Sequence, residues 1–457
     1  MTGVADRPAG KLDELPWWRP LVVQLAGQAH PDDTTLGLFV RQLTAAFEEQ
    51  GHTVVESSHG DVDLLLIVTH IPTGSEPLRE RVQEQSPPLS ARTCTELGLR
   101  VGSRQTVVLA QIPEHLADRR HTEVVDIGRT VMARTAAPRV VLVNRDGQEA
   151  TLFTMEGGHP TETQDLADRI RDRLVTAACA RDVGDRYDVV TDALSSTTWT
   201  HSPAPDHLAA AGRRMGALGL LPEPVHIDRY VSEALASLYR EYLGWKRLSE
   251  GMLFLYDPDL DAVVVTASGS WDVDKRALRR DEVTVLHPHP HGSRLRVLAP
   301  EGVDPKGPSV EAWEVCALLS AVPTVRLSRS AAGHWTLDPD GERTAPIIRG
   351  GVHAHVGVSR ADDTVIESVP PNRDLYPYGF GCGTDLVADV ATDTVARSHA
   401  VNDATDPRRY VRWPMLYHGE MAVELWKPGL PEQPLQGLLD AYAASVRYTP
   451  DHVDQPL

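Results

Sequence analysis

The chain has 457 residues, 41% hydrophobic and 24% charged, the balance of an ordinary soluble globular protein with two or three domains at roughly 150 residues each. Sixty-four acidic against 45 basic side chains give a formal charge of −19, which excludes the basic footprint of nucleic-acid and anionic-membrane binders and favours a small-molecule partner. No apolar run approaches the roughly 20 residues that cross a bilayer, and residues 1–20 carry no signal-peptide core, so a cytoplasmic location is expected. Cys94, Cys179, Cys316 and Cys382 are widely spaced with no CxxC pair, an arrangement against a disulfide framework or a thiolate zinc site. Any metal must then be held by histidine and carboxylate.

Residues 1–19 are polar and proline-bearing and read as a flexible leader. An alternating pattern follows: strand Leu21–Leu25, helix Asp32–Gln50 closing at Gly51, strands Thr53–Glu56 and Leu64–Thr69. A second round gives strand Thr106–Ala110, helix His121–Thr135, strand Arg139–Asn144 and a long helix from Thr161 to Ala180. Short apolar strands alternating with helices predict a parallel sheet, because each parallel connection needs a crossover. Residues 20–185 are therefore expected to form a Rossmann-like α/β domain. Two loops there are candidate ligand sites. One is Met155–Thr163, a glycine pair entering a helix; the other is Gly27–Asp33, after the first strand. Each reads equally as an ordinary capping turn.

Residues 186–224 are rich in Ser, Thr, Pro and Ala, include Ser202-Pro203-Ala204-Pro205, and read as a linker with a short helix around Leu208–Leu218. Beyond it, helix Asp228–Tyr242 leads into strands Gly251–Tyr256, Ala262–Ala267, Val283–His287, Arg294–Leu298 and Gly351–Val358, with helices Val310–Ala321 and Leu435–Val446. That pattern predicts a second domain over residues 225–457, built on an antiparallel sheet.

Three histidine groupings lie in this half. His353-Ala354-His355 falls in a strand, where residues two apart share a face and both imidazoles can converge on one ion. The alternative is a pair of satisfied polar side chains. His418 ends the run Met415–Tyr417 before Gly419, and alone reads as a turn histidine. His287-Pro288-His289-Pro290-His291 alternates with proline and reads as a solvated turn.

The order of the flanking segments resembles the class II aldolase/adducin family. Val263-Val264-Val265-Thr266-Ala267-Ser268-Gly269, then Asp274-Lys275, Leu278 and Asp281-Glu282-Val283-Thr284-Val285, is similar to the family's strand, T-x-S/T-G turn, short helix and D-x-V-x-V strand. Gly307-Pro308-Ser309-Val310-Glu311 resembles its P-S-S-E segment opening a helix. His353-Ala354-His355 resembles its H-x-H, Tyr378–Thr384 its Y-x-x-x-G-T/S loop, and Leu416-Tyr417-His418-Gly419 its L-x-x-H-G.

The resemblance implies an α/β/α domain with a central antiparallel sheet, in which His353, His355 and His418 hold a divalent cation and Glu311 is the carboxylate beside it. It also implies that Thr266, Ser268, Gly269 and Ser309 cradle an anionic substrate group. Three neutral imidazoles leave a cation charged and with an open position, able to polarise a substrate carbonyl or hydroxyl. Glu311 is then the natural base; as an alternative it is a helix N-terminal charge with Ser309 as cap. The sequence departs from the family where Gly251 is followed by Met252 instead of asparagine, and in the short stretch between His355 and Tyr378, so Tyr378 or Tyr376 is the candidate proton donor. An insertion over Arg326–Arg349 predicts a hairpin around Asp338-Pro339-Asp340-Gly341.

The expected function is a metal-dependent lyase, of the aldolase type or using related enolate chemistry, on a small hydroxylated substrate that can carry phosphate. Zn2+ is the first expectation and Fe2+ the alternative; the latter implies an oxygenase or decarboxylase on the same histidines. A third reading is a non-catalytic adducin-like module. The family resemblance further implies a homo-oligomer.

Overall fold

The computed structural model describes residues 12–27, 34–56, 62–70, 106–111, 139–143, 148–154, 157–162, 165–181, 183–184, 186–221, 225–226, 247–248, 251–267, 275–354, 365–381, 383–415 and 419–445. The expected helices His121–Thr135 and Asp228–Tyr242, and the loop after the first strand beyond Gly27, lie outside them. The chain divides into two units, one within Met1–Ala180 and Val225–Leu248, the other within Arg181–Pro224 and Ser249–His452.

In the first unit β1 (Val22–Gly27) lies between β2 (Thr53–Val55) and β3 (Leu64–His70). β4 (Thr106–Gln111) and β5 (Arg139–Val143) follow outward, all in parallel. Val107–Ala110 and Val140–Val143 are wholly buried, which is why they read as unbroken apolar runs: a parallel strand is covered on both faces. Helix α1 (Thr35–Glu49) starts where the Thr34 side chain accepts from the Gly37 amide at 3.1 Å. It stops before Gly51, whose φ of +88° suits a residue without Cβ. Leu36, Phe39, Leu43 and Phe47 of α1 share one core with Ile170, Leu174 and Val175 of α2 (Leu166–Cys179).

The parallel α/β sheet is present, but its order 2-1-3-4-5 is not the 3-2-1-4-5-6 order of a Rossmann fold. The C-terminal edge also differs from expectation. β6 (Glu149–Thr154) and β7 (Gly157–Glu162) form an antiparallel hairpin on β5, so Gly157 and Gly158 begin a strand and do not enter a helix. Helix α2 starts only at Leu166. The leader is corrected too in its described part: Leu12 is buried and Trp17 and Trp18 pack on the core. Arg19 pairs with Asp63 at 2.7 Å.

The supposed linker is an integral part of the second unit. β8 (Tyr187–Leu194) runs parallel to Leu295–Pro300 at the edge of a nine-stranded sheet. After helix α3 (Ser196–His201), helix α4 (Ala204–Ala217) buries Leu208, Ala211 and Met215. Ser202-Pro203-Ala204-Pro205 is a helix start, with proline where its missing N–H costs nothing. β9 (Val225–His226) and β10 (Arg247–Leu248) pair with each other in the first unit.

The remaining strands of the large sheet are β11 (Met252–Asp257), β12 (Ala262–Thr266), β13 (Val283–Leu286), β14 (Leu295–Pro300), β18 (Ile348–Ala354), β19 (Ile366–Ser368), β20 (Tyr410–Pro414) and β21 (Glu420–Leu425). Their order is β19-β20-β21-β18-β11-β12-β13-β14-β8. Only the outermost pairs, β19–β20 and β14–β8, are parallel, so the expected antiparallel sheet is present. The insertion forms a separate three-stranded sheet, β15 (Thr324–Arg329), β16 (Trp335–Leu337) and β17 (Arg343–Pro346), with the Asp338–Gly341 turn between β16 and β17.

One face of the large sheet, carrying Leu253, Leu255, Val264, Val285, Val352 and Ala422, packs with α4 and with α8 (Gln436–Ser445) in one core. The opposite face, with Met252, Phe254, Val263, Val265, His353 and Met421, is buried as completely. Helices α5 (Ala312–Ala321) and α6 (Asp385–Arg397) contribute nothing to the first core and pack on each other; a short α7 (His399–Asn402) follows them. Among the described residues no helix is long and apolar enough to cross a membrane.

A buried histidine makes the first unit sensitive to acid. His52 Nδ1 accepts from the Leu21 amide at 3.0 Å and Nε2–H donates to Gln50 Oε1 at 3.1 Å, so the ring is neutral. Burial, helped by the nearby Arg171 guanidinium, pushes its pKa down to about 4 from 6.5. A base whose pKa falls on folding contributes stability that is complete above 6.5 and lost as pH drops toward 4, here about 3 kcal/mol at about 1.4 per unit. Denaturant titrations between pH 7.5 and 4 should therefore show the wild type weakening over this window and His52→Asn lacking that component; parallel profiles would refute the assignment.

Candidate functional site

His353 is the described member of the three histidines singled out by sequence; His355 and His418 lie outside the described residues, as do Ser268 and Gly269. It sits in β18 with no exposed surface, opposite Met252 on β11 and Met421 on β21. Its Nδ1 lies 3.0 Å from the Glu420 main-chain oxygen. A carbonyl only accepts, so Nδ1 carries the proton and in the neutral ring the lone pair belongs to Nε2. This is the tautomer that a histidine metal ligand adopts when a carbonyl holds its other nitrogen.

The β18–β21 ladder ends with Ala354 facing Glu420. On the other side of β21, Pro414 faces Glu420 and the Met415 amide donates to Gly419 at 2.8 Å. The residues that flank positions 355 and 418 are thus brought side by side at one end of the ladder that holds His353. Glu420 escaped the sequence reading because its contribution to His353 is a backbone oxygen, which carries no side-chain signature. Its own carboxyl points to the opposite face, where burial pushes its pKa up to about 7, against the pull of Arg412.

Glu311 is largely buried at the N-cap of α5 and receives the hydroxyl hydrogen bond of Ser309. The Ser309 amide donates to the Thr266 carbonyl at 3.2 Å, and Ala267 and Pro308 form a bridge. Ser309 and Glu311 are therefore fixed together at the end of β12, two strands from His353. Ser309 is not the side-chain cap of α5; it orients Glu311. Thr266 Oγ1 accepts from the Leu253 amide at 3.3 Å, and by strand alternation the residue lies with Val264 on the face away from His353. Its side chain is therefore on the side of the sheet opposite the His353 ring.

Tyr378 is buried in the loop before α6. That loop is tied to α5 by the Gly383 amide, which donates to Glu314 Oε1 at 3.1 Å, and it ends where Thr384 caps α6. Tyr376, the other candidate, stacks edge-on against Phe380, and burial beside Asp389 and Asp393 raises its pKa. Arg181, Val183 and Gly184 fasten the end of this loop. Arg181 bonds Asp385 through its amide and guanidinium, and the Val183 and Gly184 amides share the Gly383 carbonyl at 3.0 and 2.8 Å.

His287 and His289 are tied into their own turn. The His289 amide donates to His287 Nδ1 at 3.1 Å, and His289 Nδ1 lies 2.9 Å from Ser320 Oγ. Among the described residues no group of three His, Cys, Asp or Glu side chains is arranged to hold a metal ion. Burial pushes the Cys316 thiol up to about 12, which keeps it protonated.

A side chain at Gly184 would collide with the Val310 carbonyl and with the Gly383 backbone. Gly184→Ala should therefore destabilise the second unit by about 1–3 kcal/mol and speed hydrogen exchange at the Ser309 and Gly383 amides. An unchanged unfolding midpoint with unchanged exchange would show that this backbone crossing does not fasten the end of the loop before α6.

No protein-family model matches the chain, and no curated protein matches it. A solved structure titled L-fuculose 1-phosphate aldolase is a structural neighbour, at 14% identity over 53% of this chain and 84% of that one, with a TM-score of 0.28. At that score the likeness carries no argument about this chain's fold or chemistry.

Proposed function

We propose that the second unit is a metal-dependent lyase of the class II aldolase type. In this reading a divalent ion, zinc before iron(II), is held by His353, His355 and His418. The observation that carries it is the His353 imidazole, buried and locked by the Glu420 carbonyl in the tautomer that presents Nε2. The ladder that does this also gathers the chain neighbours of the other two histidines. The donor chemistry fits the group, because neutral imidazole is a good ligand for either ion.

When bound, the cation supplies Lewis-acid polarisation of a substrate carbonyl or hydroxyl. The protein's own part is proton handling and orientation. Glu311 takes a proton from the substrate, with Ser309 fixing its carboxylate. Tyr378 is the proposed proton donor to the departing fragment. Positions 268 and 269 receive the anionic end of a small hydroxylated substrate. A homo-oligomeric assembly belongs to the same proposal.

The test is elemental analysis of full-length protein purified without added metal, followed by assay of aldol cleavage on hydroxylated carbonyl compounds with and without phosphate. About one divalent ion per chain is expected. The ion should be lost in His353→Ala, His355→Ala and His418→Ala; Glu311→Gln should keep it and lose turnover by a factor of about 100 or more. Metal-free wild type, or a His353→Ala variant with its full metal content, overturns the proposal. Bound iron with oxygen uptake moves the reaction to the oxygenase class.

A further inference from the structure

The Glu420 carbonyl can set the His353 tautomer only if the first residues of β21 are held in place; strand pairing with β18 and β20 holds them in part, and a buried side-chain cluster on the opposite face of the sheet holds them as well. There Glu420 and Arg412 are both almost completely buried, with Arg412 Nη1 3.7 Å from Glu420 Oε2. The Arg412 guanidinium is gripped in turn from two sides. Nε donates to Ser368 Oγ on β19 at 2.7 Å, and Nη1 donates to Ser445 Oγ at 3.0 Å and to the Ser445 carbonyl at 3.3 Å, at the end of α8. One cation therefore joins β19, β20, β21 and α8 around the residue that touches His353. Tyr442 of α8 lies beside the same carboxyl.

Building on the metal-site reading above, we infer that Arg412 is a positioning residue for the candidate metal centre, acting through the sheet: it fixes Glu420, whose carbonyl fixes the His353 ring. The physical reason is the asymmetry of a buried pair. Removing Arg412 strands the Glu420 carboxyl without its counter-charge, and the side chain must turn. Its peptide shares that adjustment, because Gly419 precedes it with φ of +79°, next to the backbone bond from the Met415 amide to the Gly419 carbonyl. A shift of the carbonyl lengthens the His353 Nδ1 hydrogen bond and releases the tautomer. Arg412 itself touches neither metal nor substrate, so its effect is carried wholly by orientation.

Two measurements on the full chain test this. Ring-nitrogen NMR of metal-free protein should show His353 as the Nδ1–H tautomer in the wild type and as a mixture in Arg412→Met, with Arg412→Lys restoring part of the difference. Competition with a chromophoric chelator should show zinc bound about 10- to 100-fold more weakly by Arg412→Met, with a changed ligand-field spectrum in the cobalt-loaded protein and partial recovery in Arg412→Lys. If Arg412→Met does not fold, Ser368→Ala and Ser445→Ala decide, since each deletes one hydroxyl hydrogen bond to the guanidinium; severalfold weaker zinc binding is expected from both. A folded Arg412→Met, or both serine variants, with wild-type tautomer and zinc affinity overturns the inference. Wild-type protein that binds neither zinc nor cobalt but shows the Arg412-dependent tautomer overturns the metal reading and leaves the positioning role standing.

Discussion

A buried imidazole must place its N–H on an acceptor, and in this protein that requirement fixes the tautomer of a histidine in the middle of the large sheet. His353 has no contact with water, and the acceptor of its Nδ1–H is the carbonyl of Glu420. A carbonyl cannot reverse the bond by donating, so the ring has one neutral tautomer. The acceptor is main chain, and its position is fixed by the β18–β21 register. The state of one side chain is thus written into strand pairing, and loops that approach this row meet an imidazole already oriented.

The sheet that provides this register is buried on both faces, and the faces have different work. One is a continuous apolar core with α4 and α8, into which two arginine–glutamate groups are set. Arg349 pairs with Glu424 at 3.1 Å, donates to the Pro431 and Glu432 carbonyls and stacks on Trp426; Arg412 faces Glu420. Burial raises the pKa of both glutamates, and the arginines oppose that rise. Such pairs add little net stability over an apolar replacement. Their consequence is geometric: a buried arginine with several fixed acceptors holds those acceptors at defined places. The other face carries His353, and the loops bearing Ser309, Glu311 and Tyr378 are bound to the ends of its strands and helices by main-chain bonds. Val183 and Gly184 belong to this binding, since their amides close on the Gly383 carbonyl. The chain therefore builds part of the second unit before it completes the first.

Much of the architecture was legible in the amino-acid order. Unbroken apolar runs such as Val140–Val143 predicted parallel strands, and Gly51 marked the end of α1, whose cap at Thr34 lies later than the expected start at Asp32. The strands from Met252 to Leu286 and the turn at Asp338–Gly341 were also readable, because alternation and turn chemistry are local. Helix α6 was overlooked although its signal is local too: Thr384 caps a run with Val387, Val390, Ala391 and Val395 on one face. The proline-rich stretch misled in the other direction, since the same Ser-Pro-Ala-Pro that breaks a chain also begins a helix. Gly157-Gly158 misled because a hairpin is decided by the partner strand, and a glycine pair fits a turn or a strand equally well.

The sequence by itself determined many of the element types and the two-part organisation, because these follow from periodicity and capping within short windows; the histidines and the acid worth examining came from the order of motifs that carries the family resemblance. Tertiary structure alone decided which unit residues 187–221 join, the 2-1-3-4-5 strand order, the face on which Thr266 lies and the partner of His353. The run Glu420–Leu425 shows the reason. Period two puts Glu420 and Glu424 on one face, and that face is covered by α8, where Arg412 and Arg349 meet the glutamates from neighbouring strands. Which face water reaches, and which backbone oxygen lies beside a given ring, are properties of contacts between residues distant in the chain, and no local pattern encodes them.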